Sequence, residues 1–303
     1  MSDILISPVA SKTSITPLHL LLALAIVAIW GTNFAIMKVA LAQFPPLLFG
    51  ALRFIFCVLP GIFFLKRPKV PWKLLAAYGL LIGVGQFGLV YIAVSGYISP
   101  GLASLIIQLQ VFFTILMSAR AGEKVLPLQW LALAVAFVGL GVIALHVDAQ
   151  TTVLGLALML CAAISWAAGN MVVKQSPGAD MLAYIVWSSL FSVPPLILLS
   201  LGFDGPAAVA KALTHASWDA WAAVFWQSAG NTMFGFAAWG WLLNRYKAST
   251  IAPTALLVPV FGLGASVIWL HEPLPMWKLL ATGLVISGLL LNMAAARRPS
   301  PAP

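Results

Sequence analysis

Ten runs of about 20 predominantly apolar residues, parted by short polar breaks, decide what this chain can fold into. A run of that length crosses roughly 30 Å of hydrocarbon as a helix, a medium in which every backbone N–H and C=O needs a partner within the protein. By their breaks the runs cover 18–39, 46–65, 72–94, 101–119, 127–146, 153–173, 181–201, 221–243, 251–270 and 275–295. Composition agrees: 62% of residues are hydrophobic and 8% charged, with mean hydropathy +1.04, where a soluble domain carries about 25% charge. The expected fold is all-α and integral to a membrane, with ten transmembrane helices. Residues 1–17 read as a tail, and no signal-peptide cleavage pattern follows, because the first run has full spanning length and leads into a second.

Lys and Arg near span ends stay on the cytoplasmic side. Placing the N-terminus inside puts Lys12, Lys66, Arg67, Lys69, Lys73, Arg120, Lys124, Lys174, Arg245, Lys247, Arg297 and Arg298 there, leaving only Lys38, Arg53, Lys211 and Lys278. Both tails, 1–17 and 297–303, are expected in the cytoplasm. The net charge of +9 then follows from topology and lipid headgroups and implies no nucleic-acid partner. Cys57 and Cys161 both lie inside apolar runs and read as packing residues; neither a metal nor a cofactor is implied.

The pattern is written twice. Shifted by 149 residues, 72–123 lies without gaps on 221–272, pairing Trp72 with Trp221, Phe87 with Phe236, Tyr97 with Tyr246, Ala103 with Ala252, Val111 with Val260, Phe112 with Phe261 and Glu123 with Glu272. In the first span Trp30 precedes Lys38 by eight residues, and in the sixth Trp166 precedes Lys174 by the same distance. The repeats are assigned to 18–147 and 151–296. Five spans per repeat is an odd number, so the second copy sits inverted in the membrane. Halves so related can exchange outward-open and inward-open states around a site near the midplane, the arrangement of an alternating-access carrier.

Polar side chains in hydrocarbon are costly, so those within spans should face the bundle interior. Asn33, Gln86, Gln108, Gln110, Asn170, Gln227 and Asn231 are the candidates, each also readable as a helix-to-helix hydrogen bond. Gln227 and Asn231, four apart, share an α-helical face. Gln108 and Gln110, two apart, cannot both face the pathway unless the fourth span is irregular there. Among the aromatics, Trp30, Trp166 and Trp239 lie deep and are cavity-wall candidates, with Tyr78 as a further one, since a buried indole N–H needs a partner. All seven acids, Asp3, Glu123, Asp148, Asp180, Asp204, Asp219 and Glu272, fall in tails, loops or span ends. That disfavours a pump built on a membrane-buried carboxylate. Glu123 and Glu272 read as gate anchors, and Pro259, flanked by Gly262 and Gly264, as a hinge. Arg53 is the one charge at depth; it either holds an anionic group or snorkels to the headgroups.

Trp30-Gly31-Thr32-Asn33-Phe34, Pro45-Pro46, Arg53-Phe54, Glu123, Ser165-Trp166-Ala167 with Lys174, and Glu272 together resemble the two EamA-type domains of the drug/metabolite transporter superfamily. Within it, Arg67-Pro68-Lys69-Val70-Pro71, Gly101-Leu102-Ala103-Ser104-Leu105 leading into Gln108-Leu109-Gln110-Val111-Phe112-Phe113, and Leu257-Val258-Pro259-Val260 are similar to the branch exporting cysteine and O-acetylserine. Gln110 stands where the family pattern has a proline, which only the second half keeps, as Pro259. The resemblance implies export of small zwitterionic metabolites across a bacterial inner membrane, with the bilayer and a small molecule as partners and the chain a monomer or homodimer. An arginine at the Arg53 position in members of differing substrate favours a structural role for it. A broad-specificity exporter of lipophilic cations or aromatic compounds, or a channel or sensor of the same topology, is the alternative. No catalytic constellation of Ser with His, or of paired Asp, lies at depth.

Overall fold

In a computed structural model, described over residues 15–148, 150–246 and 248–296, the chain is a bundle of helices with no strand among those residues. Lys12, Lys247, Arg297 and Arg298, four of the charges used for orientation, lie outside the described residues, as do Asp3 and most of both tails. Helices α1 (Pro17–Leu41), α2 (Pro46–Phe64), α3 (Trp72–Gly96), α4 (Pro100–Arg120), α5 (Pro127–Ala144) and α6 (Val153–Val173) follow the expected spans closely. Their starts are written locally. Thr16, Ser99 and Thr152 accept from backbone N–H groups in the first turns of α1, α4 and α6, and α1, α2, α4 and α5 open with proline, whose missing N–H costs nothing there.

The expected seventh span is broken. Helix α7 runs Met181–Ser189 and resumes as Val193–Phe203 after a 41° bend, where Pro194 and Pro195 can support no continuous ladder. A short α8 (Pro206–His215) precedes α9, a continuous helix over 218–245. Among the described residues, eight helices are long and apolar enough to cross a membrane, or nine with the bent pair counted as one span. The expected eighth span, α9, is not among them. Its length suffices, but Gln227, Ser228, Asn231 and Thr232 sit in its middle and lower its hydropathy. After a single turn at Ala248–Ile251, α10 (Ala252–Leu270) and α11 (Met276–Ala296) complete the bundle.

Four helices depart from α geometry, at corresponding places in the two halves. Helix α3 is π-wound over Leu80–Gly88 and α9 over Trp226–Phe234. Helix α4 tightens to 3₁₀ over Ile107–Leu109, and α10 over Ala252–Leu257. In a π segment each carbonyl bonds to the N–H five residues on instead of four. Carbonyls in and beside these segments also accept from side chains of other helices: Ser192 Oγ donates to Gly79 O (2.8 Å), Ser165 Oγ to Leu81 O (2.7 Å) and Trp30 Nε1 to Asn231 O (3.2 Å).

Helix pairing exchanges between the halves. Helix α1 packs on α9 and α10, and α6 packs on α3 and α4, while α2 pairs with α7 and α5 with α11. Small residues make the close approaches. A Cβ on Gly31 would lie 2.5 Å from both Phe261 Cβ and Val258 O, and one on Gly288 would lie 2.7 Å from Ala132 O. Close backbone approach through glycine is how helices associate where lipid removes the hydrophobic drive. Large apolar side chains such as Phe63, Phe64, Phe203 and Met276 are outward-facing and exposed.

Gly31→Ala should therefore push α1 off α10. The expected loss is about 1–3 kcal/mol, the usual cost of overpacking, read as a lower midpoint in thermal unfolding of the purified protein.

Candidate functional site

Two polar clusters, one buried and one half-buried, hold most of the residues expected to line a pathway. The first gathers α1, α2, α3 and α9 around Arg53. This arginine is 0% exposed, so it does not snorkel. Nε and Nη2 both donate to Thr232 Oγ1 (3.1 and 2.7 Å), and Nη1 donates to Tyr91 Oη (2.7 Å) and Gln227 Oε1 (3.1 Å). The guanidinium carbon lies 3.7 Å from the centroid of the Phe87 ring, a cation–π contact. Asn33 Nδ2 donates to the same Gln227 Oε1 (3.2 Å). Ser228 Oγ donates to Arg53 O (2.8 Å), tying α9 to α2. Gln227 Nε2 and Asn33 Oδ1 are buried without any hydrogen-bond partner. Neither ion pair found among the described residues involves Arg53.

The geometry depends on the π segment of α9. Thr232 Oγ1 donates to Gln227 O (2.8 Å), five residues back, and so both residues reach Arg53. Asn231, the expected face-mate of Gln227, instead gives its carbonyl to Trp30. Above it Trp30 contacts Trp239 (centroids 5.1 Å apart) and Phe236 (5.5 Å). Trp30, Asn33, Gln227, Asn231 and Trp239 are thus brought together.

The second cluster joins α4 to α6. Asn170 Nδ2 donates to Gln110 Oε1 (2.8 Å) and to Thr114 Oγ1 (3.3 Å). The irregularity that Gln108 and Gln110 require is present as the 3₁₀ turn at Ile107–Leu109. Gln108 is half-buried. Gln86 is buried in the π segment of α3. Trp166 packs beside both the main core and the Tyr78–Tyr184 group, where those two rings meet edge-on at 5.0 Å. Tyr78 therefore lies apart from the Arg53 cluster. A cavity of about 570 Å³ opens between segments 64–71 and 175–183, and none of the expected residues lines it.

The two repeat-matched acids are presented by the same device. Gly122 (φ +94°) and His271 (φ +53°) end α4 and α10 in the left-handed conformation, turning the following acid back on its own helix. Glu123 N donates to Ser118 O (3.0 Å) and Glu272 N to Ser266 O (3.1 Å). Their partners differ. Lys174 Nζ reaches Glu123 Oε1 at 2.9 Å with side chains 47% and 57% exposed, whereas Lys278 Nζ lies 3.7 Å from Glu272 Oε2 with side chains 4% and 9% exposed. Gly101 N also donates to Glu272 Oε1 (3.4 Å). Lys38, the counterpart of Lys174, donates to Val94 O (2.9 Å) and Ser95 O (3.1 Å) instead. Pro259 stands at the start of the α segment that follows the 3₁₀ turn of α10.

Arg53, for which the resemblance favours a structural role, stands at the centre of the first cluster. The available signal was a lone charge in the middle of a span with no acid at matching depth.

A bundle of long apolar helices holding buried amides and a buried arginine is the architecture of a multi-pass membrane protein. The chain belongs to the EamA-like transporter family, which matches residues 17–145 and 153–294. It is 36% identical over 285 residues to a probable amino-acid metabolite efflux pump of Escherichia coli K12, covering 91% of this chain and 95% of that one. Its identity to the protein of the same description in Salmonella typhimurium LT2 is 37% over 283 residues, with the same coverage. An uncharacterized transporter of Bacillus subtilis is 27% identical over 89% of this chain and 94% of its own. A crystal structure shares the fold at a TM-score of 0.59 and 17% identity, covering 93% of this chain and 99% of that one.

The Lys174 hydrogen bond holds the Glu123 carboxyl below the ordinary carboxylate range. A depressed folded-state pKa means that this contact's contribution is present above the unfolded value and is lost as pH falls through the folded one. In thermal unfolding, Glu123→Gln should be less stable than the parent at pH 7, with the difference shrinking as pH falls below the ordinary carboxylate range; a difference that does not shrink in acid counts against the pairing.

Proposed function

We propose that the chain exports small zwitterionic metabolites, most of all amino acids such as cysteine and O-acetylserine, by alternating access across a bacterial inner membrane. The observation that carries this reading is the chemistry of the buried polar set. Among the described residues, away from the helix ends it consists of amides, hydroxyls, indoles and Arg53, while the carboxylates, and Lys278 beside Glu272, stand at helix ends and in loops. Amides can both donate to a carboxylate and accept from an ammonium, which suits a zwitterion. The two efflux pumps of E. coli and Salmonella, similar over nearly the whole chain, are described as handling amino-acid metabolites, and this supports the same class here.

In this reading the chain has ten spans, with α7 bent and α9 polar in its middle, both termini cytoplasmic, and two inverted five-span repeats. The reciprocal pairing of α1 with α9 and α10 and of α6 with α3 and α4 supports such a two-fold relation, as do the matched π segments. Glu123 and Glu272 then lie at opposite faces as gate anchors, one contact exposed and the other sealed. Pro259 acts as the hinge of α10. The cluster of Trp30, Trp239 and Phe236 favours aromatic metabolites as a second substrate group.

Uptake of labelled cysteine into proteoliposomes preloaded with an amino-acid mixture tests the substrate class. Saturable uptake accelerated by preloading is expected; no saturation and no acceleration would falsify it. In the same assay Asn33→Leu, Gln108→Leu, Gln110→Leu and Asn170→Leu should each lower flux several-fold at unchanged folded yield. Parental flux in all four would remove these side chains from the pathway.

A further inference from the structure

We infer that Arg53, with Gln227 and Tyr91, forms a binding site for the carboxylate group of the transported molecule. The inference deepens the export reading and rests on it only for the choice of probe compounds.

The hydrogen-bond inventory of the cluster is lopsided. The guanidinium carries five N–H groups, and its four contacts go to three neutral oxygens, two of those contacts converging on Thr232 Oγ1. Thr232 commits its own proton to Gln227 O. Arg53 needs Gln227 Oε1 as an acceptor, and this fixes the amide so that Nε2, with two N–H groups, turns away with nothing to bind. Tyr91 accepts from Arg53, so its proton is also left to give. On the acceptor side, Asn33 Oδ1 is fully buried and without a partner among the described residues.

A full positive charge, buried and short of acceptors, is among the most expensive arrangements a membrane interior can hold. If Arg53 served packing alone, an acid at matching depth or an apolar residue of similar volume would relieve that cost. A ligand carboxylate relieves it directly, because it is acceptor-only and matches the planar fork of the guanidinium. Thr232 is the neutral occupant of that fork in the closed arrangement. The ammonium of a zwitterion then has Asn33 Oδ1 as its acceptor beside the carboxylate. Arg53 and Gln227 are both 0% exposed here. Ligand reaches them in the conformation where α1 and α9 have separated, which breaks the Asn33–Gln227 hydrogen bond.

The test is binding to the purified full-length protein, by calorimetry and by thermal shift, of three compounds sharing a thiol. Cysteine has both charges, 3-mercaptopropionate only the carboxylate and cysteamine only the ammonium. Cysteine and 3-mercaptopropionate are expected to bind at least tenfold more tightly than cysteamine. Arg53→Gln should abolish that preference, and Arg53→Lys should restore only part of it because the fork is lost. The comparison on the parent protein stands even where an Arg53 variant fails to fold. Cysteamine binding as tightly as the two carboxylates, or no carboxylate binding at all, overturns the site. Binding of 3-mercaptopropionate without cysteine keeps the carboxylate site and rejects the amino-acid reading instead.

Discussion

Everything in this structure answers to one constraint: inside a bilayer no water repairs a broken hydrogen bond. The π segments of α3 and α9 are tied to their neighbours through backbone carbonyls. Ser192 and Ser165 in one half, and Trp30 in the other, donate to carbonyls in and beside them. Each irregular segment is thereby fixed to a partner helix, and the pattern of helix contacts follows from where those donors stand. The polar cluster around Arg53 belongs to the same scheme, since Thr232 enters it only because the π winding of α9 sets it five residues from Gln227.

The apolar runs made the helices legible because hydrocarbon thickness sets their length, and the expected boundaries of α1 to α6 fall within a few residues of those found. The repeat was legible too at the level of letters, through pairs such as Glu123 and Glu272. Illegible were the departures from regularity. Periodicity at 3.6 residues joined Gln227 to Asn231, whereas the winding found joins Gln227 to Thr232, and no residue in 226–234 announces a π segment. The break in α7 could be anticipated from Pro194 and Pro195 but not its angle. The burial of Arg53 was illegible for a different reason: depth along a helix says nothing of which side faces lipid, and the residues that enclose Arg53 are contributed by α3 and α9, 38 to 179 positions away.

The matched acids show how two copies of one motif diverge. Gly122 adopts its left-handed conformation at no steric cost, while His271 does so against a penalty of about 1–2 kcal/mol. The strained copy is also the sealed one, with Glu272 enclosed by Gly101 and Lys278. The unstrained copy holds its lysine in the open. Equivalent positions in the two halves therefore carry unequal burial and strain.

The crossing of α1 onto α9 and α10, and of α6 onto α3 and α4, separates the mechanical units of this protein from its evolutionary ones. A boundary drawn at residues 145–153 divides the sequence cleanly into two family domains. The same cut passes through the best-packed contacts of the bundle, since Gly31 in the first half is seated directly against the backbone of Val258 in the second. Neither half can close upon itself. Fragments expressed from the two sides of that boundary would each leave a glycine-lined groove empty, and only together would they restore the surfaces that fill them.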